Sequence, residues 1–180
     1  RLPPMPTAPG VPELSVAVPA YNEAQCLPEL YDRVAAVAER AGLAWELVVA
    51  DDGSTDGTRE LLRQMAARDP RVKPVMLSRN FGHQIAITAG WDYARGDAVV
   101  IIDADLQDPP ELILEMAKKW KEGNEVVFAV RTEREGESWF KLWTASLFYR
   151  MIYRITDVKI PLDAGDFRLM DRKVVNVLKQ

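Results

Sequence analysis

The chain has 180 residues, 48% hydrophobic and 28% charged, with 23 Lys and Arg against 27 Asp and Glu. This length suits one domain with a core of its own, and the composition excludes a disordered chain, a collagen-like repeat and a coiled coil. The net charge of −4 gives no general electrostatic reason to bind a nucleic-acid backbone. A single cysteine, Cys26, excludes an intrachain disulfide framework and a cysteine zinc site.

The two ends of the chain contribute few candidate functional residues. Residues 1–12 are rich in proline and have no apolar stretch of signal-peptide length, so we interpret them as a flexible leader before a catalytic domain at 13–180. No apolar run approaches the roughly 18 to 20 residues of a membrane span. The chain stops at Gln180 inside an apolar-periodic stretch, which is consistent with a longer protein whose C-terminal transmembrane region is absent from this sequence.

Short apolar runs alternate along the chain with segments of helical periodicity. This alternation predicts βαβ units and an α/β fold with a mostly parallel sheet covered by helices on both faces. Asn22 is the predicted cap of the first helix, and Pro74 predicts an edge or irregular position for the third strand because it cannot donate a ladder hydrogen bond. The predicted strands are 14–18, 45–50, 72–77, 98–102 and 125–130, and the predicted helices include 27–41, 82–94 and 109–120.

Acidic and polar clusters at 21–23, 51–52 and 103–108 follow three of these strands. We expect them to converge, because ligands bind at the carboxyl ends of the strands in open α/β sheets. Asp103 and Asp105 are two residues apart, so in extended geometry their side chains point the same way. Such oxygen ligands suit Mg²⁺ or Mn²⁺ with a substrate diphosphate, although acidic residues in this position also cap helices, as Asp108 would before two prolines.

Three common nucleotide and metal motifs are excluded. The stretch 51–57 resembles half of a calcium-binding loop, but the twelfth position would be Arg63, where a bidentate Glu is required. The chain has neither the G-x-G-x-x-G dinucleotide fingerprint nor the P-loop. Hydride transfer and P-loop ATP hydrolysis are therefore not expected.

Four motifs together resemble family 2 glycosyltransferases of the GT-A fold. The resemblance runs from about residue 13 to residue 176 and is closest to the polyprenyl-phosphate glycosyltransferases, which include dolichol-phosphate mannose synthase and bacterial undecaprenyl-phosphate sugar transferases. The motifs are Val18-Pro19-Ala20-Tyr21-Asn22-Glu23, Asp51-Asp52-Gly53-Ser54-Thr55-Asp56-Gly57-Thr58, Ser78-Arg79-Asn80-Phe81-Gly82-His83-Gln84 and Asp103-Ala104-Asp105-Leu106-Gln107-Asp108-Pro109-Pro110-Glu111.

The resemblance implies a role for several residues in these motifs. It implies a divalent metal, Mg²⁺ or Mn²⁺, held on the donor diphosphate by Asp105 with Asp103 and Gln107. It leaves open which of the two adjacent aspartates hydrogen-bonds the nucleotide base. The implied nucleotide-binding residues are Pro19, Tyr21, Glu23, Asp51, Asp52 and Asp103.

The stretch 139–155 is aromatic and basic, and its periodicity is compatible with a helix. Such a helix is typical of a membrane interface, and the family has interfacial helices in this region, but a core helix with solvated Lys and Arg is the alternative. The resemblance implies that Arg131, Arg134 and Lys141 bind the acceptor phosphate, although pairing with neighbouring glutamates would also explain them.

The segment Asp163-Ala164-Gly165-Asp166-Phe167-Arg168 matches the family's stretch near the reacting centre. Asp166 is the first candidate for the catalytic carboxylate and Asp163 the second. A base is hardly needed, because a phosphate monoester has a second pKa of about 6 and is already anionic at neutral pH. His83, the single histidine, is interpreted as a structural hydrogen-bonding residue.

The resemblance therefore implies an inverting glycosyltransferase. It would move a sugar from a UDP- or GDP-linked donor to a polyprenyl phosphate at the cytoplasmic face of a membrane, such as the bacterial inner membrane. A family member with a soluble acceptor and a non-catalytic nucleotide-binding subunit are the alternatives. The sugar, the choice between UDP and GDP, and a homo-oligomeric state are left open.

Overall fold

The computed structural model of the chain describes residues 10–130 and 164–179, and for Val130 and Ala164 it describes the backbone alone. Residues 10–128 and 166–179 belong to one compact unit. The strands are β1 (Leu14–Ala20), β2 (Trp45–Asp51), β3 (Val72–Met76), β4 (Ala98–Ile101), β5 (Val126–Val130) and β6 (Ala164–Asp171). The helices are α1 (Leu27–Ala41), α2 (Thr58–Arg68), α3 (His83–Tyr93), α4 (Leu112–Lys121) and α5 (Arg172–Leu178).

The six strands form one sheet in the order β3-β2-β1-β4-β6-β5. β1 pairs in parallel with β2 and with β4, and β2 pairs in parallel with β3. β6 runs antiparallel to β4, with Ile101 opposite Arg168. The mostly parallel α/β sheet predicted from the alternation of elements is thus confirmed, and so is the edge position of β3, which contains Pro74.

The central strands are buried along their whole length. Every residue of β1, β2 and β4 is buried, which requires cover on both faces of the sheet. Helix α3 approaches β1 closely at Gly90, where an added Cβ would lie 3.3 Å from the Cβ of Ala17. Arg33 of α1 forms a bidentate hydrogen bond to Glu111, the residue before α4. Helix α3 thus packs directly on the sheet, and α1 is joined to the turn before α4.

Two helix starts differ from the sequence-based expectation. Helix α1 begins at Leu27 after Cys26, so Asn22 does not cap it. Helix α4 begins at Leu112 after Glu111, so the two prolines form a preceding turn and Asp108 is not the N-cap. The end of α1 agrees with the prediction, since Gly42 adopts the left-handed conformation at φ 63° and donates to two helix carbonyls.

No helix within 10–130 or 164–179 combines the length and apolarity needed to cross a bilayer. The predicted interfacial helix at 139–155 lies outside the described residues.

Candidate active site

A cleft of about 410 Å³ opens at the carboxyl edge of the parallel strands. It is built by the segments that follow β1, β2, β3 and β4, so the expected convergence of polar clusters from separate strands is observed. The side chains at its wall include four carboxylates and one histidine, with no Lys or Arg among the described lining residues. The lining residues are Pro19, Ala20, Tyr21, Glu23, Asp52, Asn80, Gly82, His83, Ala86, Asp103, Ala104 and Asp105.

The segment after β1 is pinned to the segment after β2 by hydrogen bonds through Asn22. Asn22 has a positive φ of 60°, its backbone N–H donates to Ser54 Oγ at 2.8 Å, and its side-chain oxygen accepts from the Thr55 N–H at 2.8 Å. The Glu23 N–H donates to Thr58 Oγ1 at 3.0 Å. Asn22 therefore fixes the loop that carries the two neighbouring cleft residues, rather than capping α1.

Glu23 extends from this loop into the cleft. Burial raises the pKa of the Glu23 carboxyl, a hydrogen bond with the Cys26 thiol lowers it, and the negative charges of Asp105, Asp56 and Asp103 raise it further. The negative charges of Asp103 and Asp105 thus act on Glu23 across the cleft.

The adjacent aspartates after β2 have different surroundings. Asp51 is fully buried, accepts from Arg59 Nε at 2.6 Å and from the Ser54 N–H, and is absent from the cleft wall. Asp52 lies at the cleft wall, and its two oxygens accept from the N–H groups of Phe81 and Gly82 at 2.7 and 2.9 Å. Asp52 therefore joins the segment after β2 to the start of α3, whereas Asp51 supports its own loop.

The Asp-x-Asp pair after β4 has fewer protein partners. Asp105 is exposed and accepts from the Gln107 N–H at 3.1 Å, while the intervening Leu106 adopts a positive φ of 61°. Asp103 Oδ1 is buried and has no hydrogen-bond partner within residues 10–130 and 164–179. Burial raises the pKa of Asp103 most, His83 lowers it, and the charges of Asp105 and Asp166 raise it again.

Asp166 reaches the same region from β6. Its Oδ2 lies 3.3 Å from His83 Nε2, and the same nitrogen lies 3.6 Å from Asp103 Oδ1. Sequence reasoning missed this contact and treated His83 as structural. A usable signal existed, because His83 directly follows Gly82 at the start of a helix after β3, at the edge where the other clusters converge.

The structure therefore brings most of the predicted site residues together. Pro19, Tyr21, Glu23, Asp52, Asp103 and Asp105 share one cleft, and Asp166 contacts its histidine. Gln107 and Asp51 are not among the lining residues. The remaining predictions, Asp163, Arg131, Arg134 and Lys141, lie outside the described residues.

Within the described ranges 10–130 and 164–179, no group of three or more His, Cys, Asp and Glu side chains is arranged to hold a metal ion. Two carboxylates alone bind a hard divalent cation weakly, and such ions in nucleotide sites take further oxygens from water and from substrate phosphates. The pair Asp103 and Asp105 fits that second situation. The buried Asp103 Oδ1 has His83 Nε2 at 3.6 Å but accepts no hydrogen bond from the described residues.

Several known proteins are similar to this chain in sequence. At 57% identity, the chain is similar to the uncharacterized glycosyltransferase YkcC of Bacillus subtilis strain 168, over 93% of this chain and 52% of that protein. At 40% identity, it is similar to the prophage bactoprenol glucosyl transferase homolog of Escherichia coli K12, over 93% of this chain and 55% of that protein. The chain thus spans about half the length of the curated relatives it matches.

Among solved structures, the chain resembles the mannosyltransferase PcManGT from Pyrobaculum calidifontis in complex with GDP-Man and Mn²⁺. The TM-score is 0.63 at 26% identity, and the match covers 94% of this chain and 47% of that one. This likeness confirms the predicted GT-A fold. Residues 15–178 match the family described as Glycosyl transferase family 2. This chain therefore belongs to glycosyl transferase family 2.

Proposed function

We propose that this protein transfers a glycosyl group from a nucleotide sugar to a polyprenyl phosphate. The observation that carries the proposal is the acidic cleft at the carboxyl edge of the sheet, in which, among the described residues, Asp105 accepts one hydrogen bond and Asp103 Oδ1 accepts none. The name of the bactoprenol glucosyl transferase relative supports the lipid acceptor, and the GDP-Man complex of a structural neighbour supports a nucleotide-sugar donor.

The donor nucleotide would occupy the cleft along Pro19, Tyr21, Glu23 and Asp52. A carboxylate has about four lone-pair sites, so Asp52 can accept an N–H of a uracil or guanine base while still holding the two backbone N–H groups. Asp51 is a weaker candidate for base recognition, because its buried carboxylate is already paired with Arg59. The cleft is compatible with UDP or GDP.

A divalent cation, Mg²⁺ or Mn²⁺, would be held by Asp105 and Asp103 together with oxygens of the donor diphosphate. When bound, it would offset the negative charge that develops on the departing nucleoside diphosphate. Gln107 would assist through its N–H, which fixes the Asp105 carboxylate. The cation would need the diphosphate oxygens as ligands, because the described residues supply few ligands of their own.

In the proposed reaction, an oxygen of the lipid phosphate attacks the anomeric carbon of the sugar. The new bond joins that carbon to the lipid phosphate, and the bond to the diphosphate oxygen breaks, which releases a nucleoside diphosphate and inverts the anomeric configuration. The lipid phosphate is already mostly deprotonated at pH 7, so the reaction hardly needs Asp166 as a base. We assign Asp166 to orienting the sugar and the attacking phosphate, with Asp163 as the alternative.

The acceptor side of the proposal depends on residues outside the described ranges. Arg131, Arg134 and Lys141 would bind the lipid phosphate, since guanidinium groups form bidentate bonds to phosphate oxygens. The aromatic and basic stretch 139–155 would lie at the bilayer surface on the cytoplasmic side. Arg131→Ala is expected to raise the concentration of lipid phosphate needed for half-maximal rate while leaving the affinity for the donor unchanged.

The proposal is tested by incubating the protein with a panel of UDP and GDP sugars, a short polyprenyl phosphate and Mg²⁺ or Mn²⁺, with products identified by mass. We expect a glycosyl polyprenyl phosphate, and a chelator should abolish its formation. Asp105→Asn should lower turnover by roughly a hundredfold, because the metal's charge stabilisation is worth several kcal/mol. Asp32→Asn, an acid-to-amide change at an exposed position of α1, is the matched control and should retain full turnover.

Three results would contradict parts of the proposal. Transfer to a soluble sugar but not to the lipid would remove the polyprenyl acceptor. Nucleotide binding without transfer or donor hydrolysis would indicate a binding subunit. Unchanged metal dependence in Asp105→Asn would show that Asp105 is not a metal ligand.

A further inference from the structure

His83 is the single histidine of the chain and the first residue of α3. Its Nε2 lies 3.3 Å from Asp166 Oδ2 and 3.6 Å from Asp103 Oδ1, so one nitrogen stands between carboxylates from two different strands. Among residues 10–130 and 164–179, no other side chain is hydrogen-bonded to the Asp166 carboxylate. Among the described residues, His83 is therefore the side chain that orients the Asp166 carboxylate.

The position of His83 is set by contacts that do not involve β6. Asp52 holds the N–H groups of Phe81 and Gly82, and Gly82 has a φ of 100° that turns the chain into α3. Helix α3 then packs on the sheet at Gly90, against Ala17. Contacts with β1 and with the segment after β2 therefore place the ring of His83, and Asp166 contacts this ring from β6.

Two negatively charged carboxylates so close to one nitrogen repel each other, and this repulsion is stronger where water is partly excluded. A donor placed between them compensates this repulsion and favours one rotamer of the Asp166 side chain. Without it, Asp166 would turn toward solvent, because its side chain is 32% exposed and no other described side chain hydrogen-bonds it.

We infer that His83 is a positioning residue, whose Nε2–H donates to Asp166 Oδ2 and holds that carboxylate at the cleft beside Asp103. The inference rests on the proposed function, since it matters to the reaction through Asp166. His83 orients the group that orients the sugar and the attacking phosphate. Misplacement of such a group by about 1 Å costs on the order of a hundredfold in rate.

The kinetic test compares His83→Ala with His83→Gln, because the side-chain amide of Gln can present an N–H near the place of Nε2. We expect His83→Ala to lower kcat roughly 10- to 100-fold, with the donor KM and the metal-dependent affinity for the nucleotide within about twofold of the parent. His83→Gln should recover most of the lost kcat. Gln84→Ala, the next exposed position of α3 and outside the cleft wall, should retain kcat.

Two kinetic results would overturn the inference. One is a loss of nucleotide affinity in His83→Ala as large as the loss of kcat, which would place His83 in donor binding. The other is equal damage in His83→Gln and His83→Ala, which would point to a requirement for the ring rather than for its donor. Combined with Asp166→Ala, His83→Ala should add less than about twofold, since residues that act as a unit are not additive.

A spectroscopic test separates this inference from the proposed function. Protein labelled with ¹⁵N-histidine gives one ring spin system, because the chain has one histidine. We expect the Nε2 resonance to shift in Asp166→Ala and to stay in place in Gln84→Ala. An unchanged resonance in Asp166→Ala overturns the inference even if transfer is observed. A shifted resonance in a protein without transfer activity upholds the contact and contradicts the proposed function instead.

Discussion

Two acidic pairs, Asp51–Asp52 and Asp103–Asp105, follow parallel strands at the same edge of the sheet, yet the protein treats them differently. In the first pair every carboxylate meets donors of the chain itself, from Arg59, Ser54 and the N–H groups of Phe81 and Gly82. In the second pair, as far as the described residues go, Asp105 accepts one backbone N–H and a buried oxygen of Asp103 accepts no hydrogen bond.

The difference separates carboxylates that are bonded to donors of the chain from carboxylates whose oxygens are left for a ligand, and in the proposed function Asp52 does both. A buried charge that is fully hydrogen-bonded stabilises the loop that it joins, and its removal leaves its donors without partners. A buried charge without partners lowers stability, and such a cost is commonly found at functional sites. We therefore expect substitutions at Asp51 and Gly53 to affect folding, and substitutions in the second pair to affect turnover.

The largest loss of stability is expected at Gly53, which follows the first pair and packs against the backbone of the segment before α3. Gly53 has a φ of 75°, and an added Cβ would lie 2.5 Å from the carbonyl carbon of Arg79 and the backbone nitrogen of Asn80. Gly53→Ala should lower the free energy of unfolding by roughly 3 to 4 kcal/mol, from left-handed strain and overpacking together. Gly57→Ala, where a Cβ meets nothing within 4 Å, should cost less than about 1 kcal/mol in the same urea titration.

The second effect is expected at Asp51. Asp51→Asn should lower the free energy of unfolding by about 3 kcal/mol, because it leaves the Arg59 guanidinium without its buried partner. Arg59 is itself 32% exposed, which keeps the cost at the lower end of the range for buried pairs. The matched control is Asp105→Asn, which should change stability by less than about 0.5 kcal/mol. Equal costs at the two positions would abolish the distinction between the pairs.

A third carboxylate held by protein donors, Asp69, extends the comparison away from the cleft. Hydrogen bonds from Arg71 and then Tyr31 lower the pKa of Asp69 to about 2. A lowered pKa stabilises the fold above the unfolded value of about 3.9, and that stabilisation is lost as the pH falls through about 2. Asp69→Asn should therefore cost up to about 2 kcal/mol at pH 7 and progressively less below pH 4.

The measurement for Asp69 is the difference in unfolding free energy between the parent and Asp69→Asn at several pH values. Asp32→Asn, at an exposed carboxylate of α1, should differ from the parent by less than about 0.5 kcal/mol throughout. A constant cost for Asp69→Asn down to pH 2 would show that packing, rather than the charge, is what the substitution removes.

The smallest effect is expected at Asp103, with the opposite sign. Burial raises the pKa of Asp103, so its ionised form is less favourable in the folded chain than in the unfolded chain at pH 7. Asp103→Asn should raise the free energy of unfolding by less than about 1 kcal/mol, since the side chain is 36% exposed and solvent screens it. A marked loss of stability in this variant would mean that the Asp103 charge holds the fold.

Much of the fold could be predicted from local pattern. The apolar runs at β1, β2 and β4 and the Pro74 of β3 were enough to predict a parallel sheet with β3 at its edge. β6 was not predicted as a strand. Its pairing with β4 joins residues about seventy positions apart, such as Ile101 and Arg168, and no local periodicity encodes a partner at that distance.

The site shows the same division. Residue types and spacing predicted that Glu23, Asp52, Asp103 and Asp105 would converge, since strand ends meet at one edge. They could not separate Asp51 from Asp52, because the side-chain directions depend on Arg59 and on the backbone of residues 81–82. The prediction that Asn22 caps a helix was wrong for the same reason, because its hydrogen-bond partners Ser54 and Thr55 belong to another loop.

By itself, the sequence determined which residue types stand at the end of each parallel strand, and with them the acidic character of the cleft. Apolar periodicity and the alternation of short strands with helices are properties of neighbouring residues, so they can be read along the chain. Only the tertiary structure decided which carboxylates are matched by donors and which remain open, and that His83 meets Asp166. Those pairings are set by loops and strands distant in the sequence, whose contacts exist only once the sheet has formed.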